Sequence, residues 1–137
     1  MITPDGTTLY VLNSGSGTVT PINTATNTAG AAIPVGIPIG VNAGQMVFAP
    51  GGTTAYVASG AAKSPGTVTP VNVATGTAGA AIPVGLDPGA IVFTPNGTTA
   101  YVLNSGSDTV TPINVATGTA GAAIPVGADP IGLVIAP

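Results

Sequence analysis

Five side chains of this sequence carry charge at neutral pH: Asp5, Lys63, Asp87, Asp108 and Asp129. With the hydroxyls and amides, they are the material from which any reactive site must be made. Asp87 and Asp129 stand in related segments, GLDPGAIVF and GADPIGLVI, and carboxylates gathered on such loops could hold a hard cation through oxygen ligands. Asp before Pro also starts turns, and a solvated turn carboxylate is the simpler reading of both. Lys63-Ser64 has the residue types of a Ser-Lys nucleophile pair, but the two adjoin in a Gly/Pro-rich insertion, a loop that supplies no oxyanion donor. Ser14-Gly15-Ser16-Gly17 lacks the spacing of a nucleophile elbow and any base to activate a hydroxyl, so it reads as a hairpin. Asp5, in Pro-Asp-Gly, and Asp108, which replaces Gly17 in the equivalent hairpin, read as turn residues. Asn96-Gly97-Thr98 matches a glycosylation acceptor, and the demand of a turn for Gly explains it more simply. Tyr10, Tyr56 and Tyr101 could form a stacking platform; burial with each hydroxyl bonded to a neighbouring loop is the expectation, because they recur at a structural position.

The absences exclude more than these candidates suggest. His, Cys, Glu, Arg and Trp do not occur in the 137 residues, which removes zinc and haem ligation, thiol nucleophiles, His-based proton transfer and Arg clamps. No catalytic residue and no cofactor is expected, and Asp87 and Asp129 are the only candidate metal ligands. A single Lys in a chain of net charge -3 cannot make a phosphate footprint, so no nucleic-acid partner is expected. At 45% hydrophobic residues with almost no charge, the composition is the opposite of intrinsic disorder. The uncharged run at 29–50 is interrupted by Pro34, Pro38, Gly36, Gly40, Asn42 and Gln45, so no membrane span is expected. The opening MITPDGTT has neither a basic nor an apolar signal region, which suggests a cytosolic protein or a piece of a longer exported chain.

What must position these residues is a repeat. PDGTTLYVLNSGSGTVTPINTATNTAGAAIPVG, from Pro4, returns from Pro50 and again from Pro95, and 27 of 32 positions match between 4–35 and 95–126. The units, 4–49, 50–94 and 95–137, share a 42-residue core. The first adds residues in IPIGVNAG and the second in GAAKSPG, where loops are expected. Within the first unit the punctuation marks four strands, Thr7–Asn13, Gly17–Asn23, Ala29–Val35 and Gln45–Pro50, joined by tight turns. Pro-Asp-Gly, Pro-Gly-Gly and Pro-Asn-Gly supply positive-φ residues between units.

Leu9 and Val11 point to one face of the first strand and Tyr10 and Leu12 to the other, so both faces need covering. Four-stranded units covered on both faces by their neighbours describe an all-β propeller, with three blade equivalents in one chain. Gly30, Ala31 and Ala32 would let blades approach, with Ile33 and Val35 filling between them. A β-solenoid of two coils of about 21 residues per unit is the rival architecture, disfavoured by the Tyr and Pro-x-Gly spacing.

Tyr10-Val11-Leu12-Asn13, Tyr56-Val57-Ala58-Ser59 and Tyr101-Val102-Leu103-Asn104 each follow Pro-x-Gly and precede a T-V-T-P strand and an I-P-V-G strand. This resembles the YVTN-type β-propeller repeat. The resemblance implies a non-catalytic structural or interaction module of the kind found in prokaryotic surface proteins, hence an extracellular or cell-surface parent. The alternative is a module binding a small ligand or cation at the mouth of the central channel. Pro21, Pro70 and Pro112 depart from the repeat and lack the donor an inner strand needs, which predicts a bulge or a gap in the ladder there. Pro34, Pro83 and Pro125 would blunt the outer edge against unwanted pairing.

Propellers have roughly four to eight blades, so three blades call for a six-bladed ring of two chains. The partner expected is therefore a second copy, meeting residues 131–137 of the first with its own first blade. Ile131, Leu133, Val134 and Ile135 would close that blade, each worth ~1.5–3 kcal/mol at most.

Overall fold

A computed structural model of the chain describes residues 1–38 and 41–137; part of the longer loop in the first repeat, Ile39 and Gly40, lies outside them. Among the described residues the structure is all-β, in three antiparallel sheets. The first sheet contains β1 (Thr8–Asn13), β2 (Thr18–Asn23), β3 (Thr28–Ala29) and β4 (Ile33–Pro34). The second contains β5 (Asn42–Phe48), β6 (Thr54–Ala61), β7 (Ser64–Asn72), β8 (Thr77–Ala78) and β9 (Ile82–Leu86). The third contains β10 (Pro88–Phe93), β11 (Thr99–Asn104), β12 (Thr109–Asn114), β13 (Thr119–Ala120) and β14 (Ile124–Pro125). Sheets and sequence repeats are offset by one strand, since the last strand of each repeat opens the next sheet. In the first sheet that innermost place is held only at its end, by Met1–Thr3, with Ile2 bridged to Leu9.

Each sheet is a meander of hairpins, and turn chemistry sets its register. Gly6, Gly52 and Gly97 take φ of 74°, 71° and 69° in the Pro-x-Gly turns, a region most side chains avoid. Asp5 stabilises the first of these turns by accepting from Thr3 Oγ1 at 2.6 Å, the Thr7 amide at 3.0 Å and Thr7 Oγ1 at 2.9 Å. Asn96 accepts the same three bonds from Thr94 and Thr98. The Thr3 hydroxyl, followed by the Thr7 donors, holds the exposed Asp5 carboxyl below its ordinary pKa. A depressed pKa stabilises the fold above the unfolded value of about 4, and that contribution is lost as pH falls through the folded value. Asp5→Asn should therefore melt slightly below the native chain at neutral pH and lose less stability on acidification; equal acid slopes in melts followed by circular dichroism would contradict this.

The fourth strand differs from its expected continuous run over Ala29–Val35. It is split: Ile22 pairs with Ala29 and Val19 with Ile33, which leaves three residues, 30–32, opposite two, 20–21. The same split recurs in the other sheets. The expected bulge at proline is thus present, carried by the outer strand, because Pro21 offers a carbonyl and no N–H. Its carbonyl accepts the Gly30 amide at 2.8 Å, and the Pro70 and Pro112 carbonyls do likewise. The bulge carries Gly30, Ala31 and Ala32 out to the exposed rim, so they do not sit between blades; Ile33 and Val35 do, at 5% and 2% exposure.

The core lies between sheets. Tyr10, Val19, Ile33 and Val35 of the first pack on Met46, Ala55, Val57 and Val71 of the second. Tyr56, Val68 and Ile82 of the second pack on Ile91, Val102 and Ile113 of the third. At each junction a Tyr meets a Phe from the following innermost strand edge-on, Tyr10 with Phe48 at 5.9 Å and Tyr56 with Phe93 at 5.2 Å. Gln45 ties neighbouring innermost strands, its Oε1 accepting the Ile91 amide at 2.8 Å.

Candidate functional site

The end of the sheets that carries the β1–β2, β6–β7 and β11–β12 hairpins also carries the loops bearing Asp87 and Asp129. Both Asp residues adopt left-handed backbone, with φ of 50° and 53°. Asp87 is half-buried and bound to the next hairpin: its Oδ2 accepts from Ser105 Oγ at 3.0 Å and its carbonyl from the Ser105 amide at 3.2 Å. Asp129 is exposed, and its amide donates to Asp108 Oδ1 at 3.0 Å. Each carboxylate is thus placed in a separate turn. No group of three or more His, Cys, Asp and Glu side chains comes together among the described residues.

The other candidates are likewise set in turns and packing. Lys63 lies exposed at the tip of the β6–β7 hairpin. The insertion there lengthens the two strands, with Ala61 paired to Ser64, where the sequence reading expected a loop. Backbone donors of an insertion find partners most readily by extending the ladder. Ser64 borders a recess of about 350 Å³ whose other walls include Pro38, Val41, Ser59 and Pro65, none of them a base. Ser16 Oγ bonds to Thr18 Oγ1 at 2.8 Å inside its own hairpin. Asp108 takes φ of 52° where Gly17 takes 63°.

The tyrosines divide by position. Tyr10 and Tyr56 are buried, and burial raises both hydroxyl pKa values. Tyr10 donates to the Val73 carbonyl of the next repeat at 3.3 Å. Tyr101, the counterpart in the last sheet, is only half-buried.

One polar residue of consequence was not singled out from the sequence. Asn104 is fully buried between the second and third sheets; its Nδ2 donates to Thr109 Oγ1 at 3.1 Å and Thr111 Oγ1 at 2.9 Å. Its Oδ1 has no hydrogen-bond partner among the described residues. Gly85 presses on it so closely that a Cβ there would lie 2.7 Å from Asn104 Cγ and 2.5 Å from Ser107 Oγ. The signal was available as spacing: Asn104 precedes Thr109 and Thr111 as Asn13 precedes Thr18 and Thr20, and Asn13 makes the same two bonds.

No family model matches the sequence, and no curated protein matches it. Solved structures do. Hydrazine synthase of Kuenenia stuttgartiensis is similar with a TM-score of 0.76 and 26% identity, over 93% of this chain and 35% of that one. A candidate 6-phosphogluconolactonase of Bacteroides fragilis is similar with a TM-score of 0.73 and 20% identity, over 95% of this chain and 39% of that one. A second such protein, of Bacteroides uniformis, gives 0.64 and 18%, over 92% and 40%. The chain therefore spans well under half the length of each. These neighbours are β-propeller proteins, and with the stacked antiparallel sheets they establish the β-propeller fold for this chain.

Proposed function

We propose that the chain is a non-catalytic β-propeller repeat module of the YVTN type, acting as a structural or interaction scaffold, with a cell-surface parent. The observation that carries this reading is where the repeated polar side chains go. Asn13 and Asn104 bind hydroxyls of their own hairpins. Asn23, Asn72 and Asn114 accept backbone amides in the turns that follow them. Asp5 and Asn96 hold the Pro-x-Gly turns. Repetition here serves folding; even Ser105, whose Oγ donates to the Asp87 carboxylate at 3.0 Å, is held with it in a contact between neighbouring repeats. Two of the similar structures bear a lactonase description, which makes lactone hydrolysis the activity to challenge. The purified chain should show no turnover of ester or lactone substrates; turnover that survives Lys63→Ala and repurification would overturn the reading.

The second reading, a cation or small ligand at the channel mouth, is favoured by the shared placement and backbone of Asp87 and Asp129. The turn bonds of Asp87 weigh against it. Titrated calcium should leave the melting temperature unchanged, and a saturable rise abolished by Asp87→Asn with Asp129→Asn would instead establish the cation site.

A further inference from the structure

Asn96 is the one asparagine of the chain that glycine follows directly. Such a pair is prone to lose ammonia, because a glycine nitrogen, with no Cβ beside it, can reach the asparagine Cγ and close a five-membered ring. Asn96 and Gly97 lie in the turn at 94–98, between β10 and β11. The Asn96 side chain is exposed there, so water reaches it and can carry ammonia away.

In the folded turn both reacting groups are committed elsewhere. The Gly97 amide donates to the Thr94 carbonyl at 2.8 Å, so the proton that must leave before the nitrogen attacks is held in a hydrogen bond. Asn96 Oδ1 accepts from Thr94 Oγ1 at 2.7 Å, the Thr98 amide at 3.2 Å and Thr98 Oγ1 at 2.9 Å, which fixes the orientation of its Cγ. Gly97 also lies against the preceding repeat, where a Cβ at this position would come 3.5 Å from the Pro50 ring. The first repeat shows what the same turn does with a carboxylate. Asp5 accepts the equivalent three bonds from Thr3 and Thr7, and the Gly6 amide donates to the Thr3 carbonyl at 2.9 Å. An ionised carboxylate is a stronger acceptor than the amide it replaces.

We propose that Asn96 is a site of spontaneous deamidation gated by its own turn. Closed, the turn withholds the Gly97 nitrogen; opened, it releases it; and aspartate formed at position 96 is taken back into the same bonds. The Gly97 nitrogen gives its proton to hydroxide and bonds to Asn96 Cγ. The bond from Cγ to Nδ2 then breaks, and Nδ2 leaves as ammonia with a proton from water. A second water opens the succinimide at either carbonyl, giving aspartate or an isoaspartyl link. Aspartate keeps the main chain at its native length, so the Gly97 amide can return to the Thr94 carbonyl. The isoaspartyl link routes the chain through an additional carbon and cannot restore the turn. Opening is confined to the tip of one hairpin, the kind of segment that opens at low free energy without global unfolding. This chemistry belongs to the chain itself and stands whether or not the scaffold reading holds.

The test is peptide mapping by mass spectrometry of the full chain held at mildly alkaline pH, once in buffer and once unfolded in guanidinium chloride. Unfolded, position 96 should deamidate ahead of every other asparagine; native, it should react at least about tenfold more slowly. Thr94→Val removes a donor to Asn96 Oδ1 and the acceptor of the Thr99 amide. It should speed the reaction of the folded chain, its fold checked by circular dichroism, and leave the unfolded rate unchanged. Asn96→Asp should melt slightly above the native chain at neutral pH and lose that gain as pH falls through the folded carboxyl value, below about 4. Equal rates in native and unfolded chains would overturn the gate, and another asparagine reacting first in the unfolded chain would overturn the site. An Asn96→Asp chain melting well below the native one at neutral pH would overturn the fit of the product.

Discussion

Ile113→Ala should cost the chain roughly 2–5 kcal/mol of folding stability, read as a lower denaturation midpoint at unchanged slope. Ile113 is fully buried between the second and third sheets, among Tyr56, Val68, Ile82 and Val102. Its neighbours are mostly β-branched side chains, stiff at χ1, with Tyr56 held edge-on against Phe93, so little can swing into the space and most of the cavity should persist. A loss of that size takes a large share of the roughly 5–15 kcal/mol by which a domain is stable. Ile22 is the same residue at the same strand position in the first sheet, on a face that no other sheet among the described residues covers, and there it is only half-buried. Ile22→Ala should therefore cost this chain clearly less than Ile113→Ala. Equal losses at both positions would contradict the account of where the core lies.

Gly85→Val should be the more damaging of two substitutions that look alike in sequence. The new Cβ would fall 2.5 Å from Ser107 Oγ and 2.7 Å from Asn104 Cγ, and Asn104 is pinned by its bonds to Thr109 and Thr111. Overpacking of a pinned site costs ~1–3 kcal/mol or more, because the sheets must part to admit it. The expected result is a clear fall in melting temperature with loss of cooperativity. Gly127→Val, at the equivalent position, should leave the melt of the diluted chain unchanged. A Gly85→Val chain as stable as the native one would show that the second and third sheets are not held at this separation.

How much of this was legible depended on whether a feature is decided within one strand pair or between blades. The Pro-x-Gly turns, the strand spacing and the bulge at Pro21, Pro70 and Pro112 follow from local backbone chemistry, and the residues state them directly. So does the burial of Tyr10 and Tyr56, whose repetition marks a structural place. Gly30, Ala31 and Ala32 were misplaced because small residues suit both a close approach and a bulge, and only the missing N–H of Pro21 decides between them. The extended β6–β7 hairpin was misread for a related reason: Gly and Pro in GAAKSPG signal a loop, yet Ala61 and Ser64 can still pair. Asn104 and Gly85 were not singled out, because their significance appears only when two distant segments are pressed together. For the candidate site, turn roles were legible for Asp5, Asp87, Asp108 and Asp129. The pairing of Asp87 with Ser105 was not, since it joins neighbouring repeats.

A crystal structure of the full chain, grown without added ligand, tests the account most directly because it counts the blades. The account predicts three antiparallel sheets stacked face to face, with Gly85 packed on Asn104, Ile113 closed from solvent between the second and third sheets, and the outer strand bulged at residues 30–32, 79–81 and 121–123. A solenoid of short coils, or sheets set so that Gly85 and Asn104 lie apart and Ile113 reaches solvent, would contradict it.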